Sequence, residues 1–143
     1  MRVSTQFPVA FHALLMIARF TDVKVTSDMV AESSGCNAVI IRNIFIRLKA
    51  AGLLSVKAGR GETTLARPAE EITLWDIYTA IEPDKTEEVF KIHANPSGSC
   101  PVGGNIRGLL LGHLDDAMSA MKQELSGVTL KMALDELDEQ LSQ

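Results

Sequence analysis

The sequence predicts a mostly α-helical chain with one small β-hairpin, and three observations predict it. Apolar residues recur at helical spacing through the first fifty positions, in segments separated by polar or glycine-containing breaks. Two short β-prone runs, "LLSVKA" and "TTLAR", flank the turn-forming "GRGE". From residue 105 to 126 the period is helical again, now as a narrow stripe of the kind that forms a helix–helix seam.

Each element has its own signal. Residues 5–20 place Phe7, Phe11, Leu14, Leu15 and Ala18 on one helical face. "TDVKV" is a connector, after which Thr26, Ser27 and Asp28 offer N-cap oxygens to a second helix of about two turns that stops at Gly35. Asn37 is positioned to cap a third helix over 37–51, with Gly52 where a helix-ending glycine belongs. Its inward face is Ile41, Ile44, Phe45 and Leu48, at i, i+3, i+4 and i+7. Val39, Ile40, Arg42, Asn43, Ile46 and Arg47 therefore point elsewhere, and two outward isoleucines call for a partner surface. The hairpin follows, and Pro68 stops its second strand. Thr73 then caps a helix in which Leu74, Ile77, Ala80 and Ile81 share a face. Residues 83–104 are irregular. The long helix carries Ile106, Leu110, Leu114, Ala117, Met121 and Leu125 on its stripe, and a last helix carries Leu130, Leu134, Leu137 and Leu141 on one side.

Helix, helix, turn, helix, hairpin is the order of a winged helix-turn-helix. The seam on the long helix adds a dimer, as two-fold DNA sites require. The expected organisation is a DNA-binding part over 1–82, a connector holding Cys100 over 83–104, and a helical dimerisation region over 105–143.

Composition agrees. An apolar fraction of 46% builds a core, and 22% charged residues is ordinary for a soluble chain of 143 residues. The net charge of −4 conceals an asymmetry: residues 1–67 hold nine Lys and Arg against four Asp and Glu, whereas 68–143 hold five against fourteen. A polyanion-binding half joined to an acidic half has this pattern. No stretch is long and apolar enough for a membrane span and no secretory signal is visible. Two cysteines 64 residues apart are no disulfide framework, so the expected location is the cytoplasm, away from membranes. No Cys–His or Ser–His–Asp constellation and no phosphate-cradling loop supports an enzyme. A protein-interaction module docking through Val39, Ile40 and Ile46 is the alternative from another class.

The stretch "SGCNAVIIRNIFIRLKAAGLLSVKAGRGETTLARPAEEITLWDIYTAIE", with "NPSGSCPVGGNI" beyond it, resembles the Rrf-two (IscR/NsrR-type) family of bacterial regulators. The resemblance covers most of the chain and several motifs fall in order. It implies a homodimeric transcription factor, usually a repressor, whose recognition helix enters the major groove of an operator duplex while its wing touches the minor groove or phosphates. Carried onto this chain, the DNA-binding set is Asn37, Val39, Ile40, Arg42, Asn43, Arg47 and Arg60. Arg42 suits a bidentate contact to guanine, Asn43 one to adenine, and Ile40 a thymine methyl. Arg60, between two glycines, is the expected wing tip, and Arg47 is a phosphate or solvent residue.

Two departures stand out. The wing lacks the family's Gly-Gly-aromatic ending, and the three clustered cysteines of the iron–sulfur members are reduced to Cys100. An iron–sulfur cluster needs about four ligands, mostly thiolates. His12, His93 and His113 lack paired spacing, so neither a cluster nor another metal or cofactor is expected, although an iron–sulfur-sensing regulator stays as an alternative. Pro101 suits the first position of the long helix, which would bring Cys100 near its N-cap, and Cys36 precedes the cap of the third helix. Both thiols would then be more ionised than a free one. They are the candidate redox pair, with an inert role left open; some cluster-less relatives with "CPVG" here resemble thiol-based oxidant sensors.

Overall fold

A computed structural model describes residues 5–57, 62–82 and 89–143. Helices α1 (Gln6–Arg19), α2 (Ser27–Ser34) and α3 (Ala38–Ala50) come first. Strands β1 (Leu54–Lys57) and β2 (Glu62–Leu65) follow, then a 3₁₀ turn (Ala69–Glu71), α4 (Leu74–Ile81), α5 (Ile106–Ser126) and α6 (Leu130–Leu141). The fold is the expected one: mostly helical, with one two-stranded antiparallel sheet.

Helix α1 is the hub, touching α2, α3, α4, β2 and α6. Its buried residues are Ala10, Ala13, Leu14 and Ile17. The face expected from Phe7, Phe11, Leu15 and Ala18 is instead half-buried around that line. The reason is steric: alanines on the contact line let several elements approach at once, and the larger side chains fan outward. Phe7 meets Tyr78 of α4 edge-on, with ring centroids 5.5 Å apart.

The helix-turn-helix corner is set by backbone chemistry. The Thr26 hydroxyl accepts the Met29 N–H at 3.2 Å and starts α2. Gly35 ends it with φ +72°, and the Cys36 N–H donates back to the Ala31 carbonyl at 3.2 Å. Asn37 Oδ1 then accepts the Val39 N–H at 2.7 Å and starts α3. Ile41, Ile44 and Leu48 are 0% exposed, which fixes the rotation of α3 about its axis.

The hairpin pairs Leu54 with Leu65 and Lys57 with Glu62. Leu54 is buried and joins the wing to the core. Below it, Arg67 donates to Asp76 Oδ2 at 2.8 Å and to the Glu71 carbonyl. Thr73 and Asp76 form a reciprocal capping box at the start of α4.

The C-terminal elements pack against the N-terminal ones. Leu130 of α6 is fully buried in the same core as α1 and α3. Two backbone hydrogen bonds stitch the α5–α6 corner to the start of α4: Leu74 N–H to Val128 C=O at 2.9 Å and Leu130 N–H to Ile72 C=O at 2.8 Å. Helix α6 thus packs on α1 and the 3₁₀ turn. In α5 the covered residue is Met118, with Leu114, Met121 and Leu125 half-buried beside it, and α5 lies along α4. Ala117, expected on the stripe, is exposed. The stripe drifts by one position because the covered side is chosen by α4, whose Trp75 also receives the Lys122 ammonium at 5.8 Å from the ring centroid.

Candidate nucleic-acid interface

Helix α3 turns a continuous outer face to solvent. Burial of Ile41, Ile44 and Leu48 forces Val39, Ile40, Arg42, Asn43 and Ile46 outward, and all five are exposed, Ile46 to 65%. The exposed residues therefore follow from the buried ones through the 3.6-residue period. Asn37 sits just before this face, with its side-chain oxygen already committed to the cap.

Arg42 lies at a groove of about 420 Å³ shared by the start of α2, α3 and β2. Lys24, Thr26, Ser27 and Thr63 line the same groove with Phe45 and Ile46. In the sequence Thr26 and Ser27 stand only as caps and Lys24 only as part of a linker. The signal that could have found them is that the N-terminal turn of the first helix in such a pair presents unpaired N–H groups beside the recognition helix.

Arg47 points the other way. One guanidinium nitrogen donates to Gln6 Oε1 at 3.1 Å and to the Ile81 carbonyl at 3.3 Å, tying α3 to α1 and α4. Its place on α3, on the flank opposite Arg42, lets it reach the last carbonyl of α4. The sequence expects a phosphate or solvent role for Arg47, and the residue is exposed. Arg60, the expected wing tip, lies outside the described residues.

The two thiols sit in different settings. Cys36 is half-buried in the corner between α2 and α3, its Sγ 3.9 Å from the Ser34 carbonyl. Cys100 is exposed in a run of turns over residues 98–105. It is not at the N-cap of the long helix, which starts only at Ile106, because the Asn105 side chain donates to the Pro101 carbonyl at 2.7 Å and closes a separate turn. Gly103 is required there: a Cβ would stand 2.5 Å from the Ser97 carbonyl oxygen. That tight turn aims the Gly103 and Val102 amides at the Cys100 sulfur, and together they hold its thiol below the usual range. The expected cause was a helix dipole; the structural cause is two local N–H groups.

The fold and this exposed, capped helix define a winged helix-turn-helix protein. The chain matches the family described as Rrf2, iron-dependent transcriptional regulator, over residues 3–136, and it belongs to that family. It is 33% identical over 135 residues to YwnA of Bacillus subtilis (strain 168), a protein named as an HTH-type transcriptional regulator; the match spans 94% of this chain and 98% of YwnA. A transcriptional-regulator structure from Lactobacillus plantarum superposes with TM-score 0.79 at 25% identity, covering 97% of this chain and 99% of that one. Another, described as a DNA-binding protein, gives TM-score 0.73 at 29% identity over 90% of this chain and 98% of its own. The chain is thus an Rrf2-family helix-turn-helix regulator, and the relatives it matches are named as transcriptional regulators or DNA-binding proteins.

The family's iron needs a donor set. Among the described residues, no group of three or more His, Cys, Asp or Glu is arranged to hold a metal ion. The Cys100 turn offers one thiolate, and His12 is hydrogen-bonded at Nε2 to Ser33 Oγ, 2.7 Å away. These residues do not fit an iron–sulfur cluster held within one chain. Among the described residues, no helix is long and apolar enough to cross a membrane.

Proposed function

We propose that two copies of this chain bind a two-fold operator duplex in the cytoplasm and repress transcription from it. Val39, Ile40, Arg42 and Asn43 read base edges in the major groove, and Lys24, Thr26, Ser27 and Thr63 contact the flanking phosphates. Asn37 serves as the cap, and Arg60 is assigned to the minor groove on the sequence alone. The carrying observation is the rotation of α3, whose buried Ile41, Ile44 and Leu48 leave Arg42 and Asn43 outward beside two apolar side chains. In this reading 1–82 together with α6 form the DNA-reading body, 83–104 the connector, and α5 the dimer seam, which the exposed Leu109 and Leu110 support.

The test is a salt titration of binding to promoter fragments. Contact with several phosphates makes log K fall linearly with log salt, at a slope of about −0.9 per phosphate on B-form DNA. A flat salt dependence, with preference for a protein partner, would establish the interaction-module reading instead.

A second reading is favoured by the exposed, acidified Cys100 thiol, the single cysteine of a cluster-less "CPVG" turn. A peroxide oxidises the Cys100 thiolate to a sulfenic acid and leaves as water. The Cys36 thiol, of the same or the other subunit, then displaces a second water to form a disulfide. Because Cys36 directly precedes the cap of α3, such a bond would displace the recognition helix and release DNA. Operator binding by Cys100→Ser should then resist peroxide; a wild-type response in that variant ends this reading.

A further inference from the structure

Away from α3 lies a cavity of about 390 Å³ that the DNA-binding reading leaves without a role. Helix α1 supplies most of its lining, including Phe11, Leu15 and Met16; the end of α2 adds Ser33, and α6 adds Leu137. The volume falls within the range of small-molecule sites, and the lining has their usual make-up of apolar walls with a few polar groups. Of the apolar lining side chains, Phe11, Leu15, Met16 and Leu137 are only half-buried and Pro8 and Phe20 are exposed, although α1 is the hub of the core.

The polar groups narrow the occupant. Among the described residues, the titratable side chains that line the cavity are His12 and Arg19, both basic, and no carboxylate is in that lining. Arg19 pairs with Asp138 of α6, and His12 with Ser33 of α2. Each pair therefore joins α1 to a different neighbour across the cavity's rim. A ligand carboxylate matches the guanidinium fork better than a single Asp138 oxygen does, and an aromatic body matches the phenyl and thioether walls.

We propose that this cavity binds a small aromatic carboxylate and that binding changes operator affinity. The bound acid replaces Asp138 on Arg19 and loosens α6 from α1. On the other side it meets Ser33, in the last turn of α2, two residues before the Gly35 corner that orients α3. One ligand thus acts on the helix that follows the dimer seam and on the helix that precedes the recognition helix. The ligand step stands without the DNA-binding reading; the effect on affinity rests on it.

The experiment uses the full-length protein and 2-naphthoate, with 2-naphthamide as its uncharged counterpart, in calorimetry without DNA. Saturable binding of 2-naphthoate is expected. Arg19→Gln should weaken it roughly tenfold or more while leaving the amide unchanged, since a charge-assisted hydrogen bond is lost. Leu137→Trp, which fills the cavity, should abolish binding of both; Leu137→Phe, a milder change, should weaken both if the tryptophan variant does not fold. Operator affinity should shift with 2-naphthoate in the wild type and not in Arg19→Gln. Absence of saturable binding, binding indifferent to both sites, or a Leu137 variant that turns a dimer into a monomer (a groove filled by a second copy) would overturn the ligand site. Binding with unchanged operator affinity would overturn the coupling, and loss of all DNA binding without ligand would count against the DNA reading alone.

Discussion

Helices α3 and α5 both leave large apolar side chains in solvent, but in different company. On α3, Val39, Ile40 and Ile46 alternate with Arg42 and Asn43, so every apolar patch has a hydrogen-bonding neighbour. On α5, Leu109, 62% exposed, and Leu110 stand between Gly108 and Gly112, with Asp115 and Asp116 one turn further on. Small residues beside leucine let a second helix approach closely, and the acidic turn would repel a phosphate backbone. In the proposed reading the first face meets an edge that offers donors, acceptors and methyl groups, and the second meets another helix.

The largest effect should come from breaking the second face. Leu109→Glu combined with Leu110→Glu is expected to convert a dimer to a monomer in analytical ultracentrifugation. Operator affinity should fall on the order of a thousandfold, because a lone half-site binds little better than random duplex. If the double variant stays dimeric, the seam lies elsewhere.

Breaking the first face should leave the dimer intact. Arg42→Ala is expected to cost about ten- to a hundredfold in operator affinity and to relax base preference at one position of each half-site. A Lys24→Ala comparison sharpens this: loss of a phosphate contact should weaken all sequences alike and reduce the salt slope by about one unit. Equal effects on specific and random duplex in Arg42→Ala would remove that residue from the base-reading set.

Asn37→Ala tests the cap beneath that face. Its Oδ1 holds the Val39 N–H, so the variant should lose about 1 kcal/mol in urea unfolding, while Asn37→Ser should keep most of the stability. Any operator effect shared by both variants would have to come from DNA contact rather than from the cap.

The two faces were unequally legible in the sequence. The i, i+3, i+4, i+7 pattern of Ile41, Ile44, Phe45 and Leu48 specified the rotation of α3, and with it Arg42 and Asn43. Caps at Thr26, Asn37 and Thr73 were readable because N-cap chemistry is local. The covered side of α5 was not, since Met118 replaces Ala117 only once α4 is in place. The Arg47 tie to Ile81 and the docking of α6 on α1 are contacts between residues 34 or more positions apart, which no period reports. The sequence points to an acidic Cys100 thiol but not to its source, because backbone amides of a tight turn leave no side-chain signature.

The smallest expected effect concerns the helix that separates the covered and uncovered halves of α5. Helix α4 covers the second half and starts at the Thr73–Asp76 box, where Arg67 joins. Burial alone would raise the Asp76 carboxyl; the Thr73 N–H first, then Arg67, outweigh it and hold the carboxyl below its ordinary value of 3.8. A carboxyl depressed on folding adds stability that is fully present above its unfolded value and is lost as pH falls through the folded one. Asp76→Asn should therefore lower stability at pH 7 by about 0.5 kcal/mol, the scale of a partly exposed pair. The gap to wild type should narrow in urea titrations run progressively below pH 3.8. The change loosens α4 but touches neither Leu109 nor Leu110, so the dimer constant should hold. A dimer that weakens in step with Asp76→Asn would mean that the two halves of α5 act as one surface, and that the contrast with α3 must be redrawn.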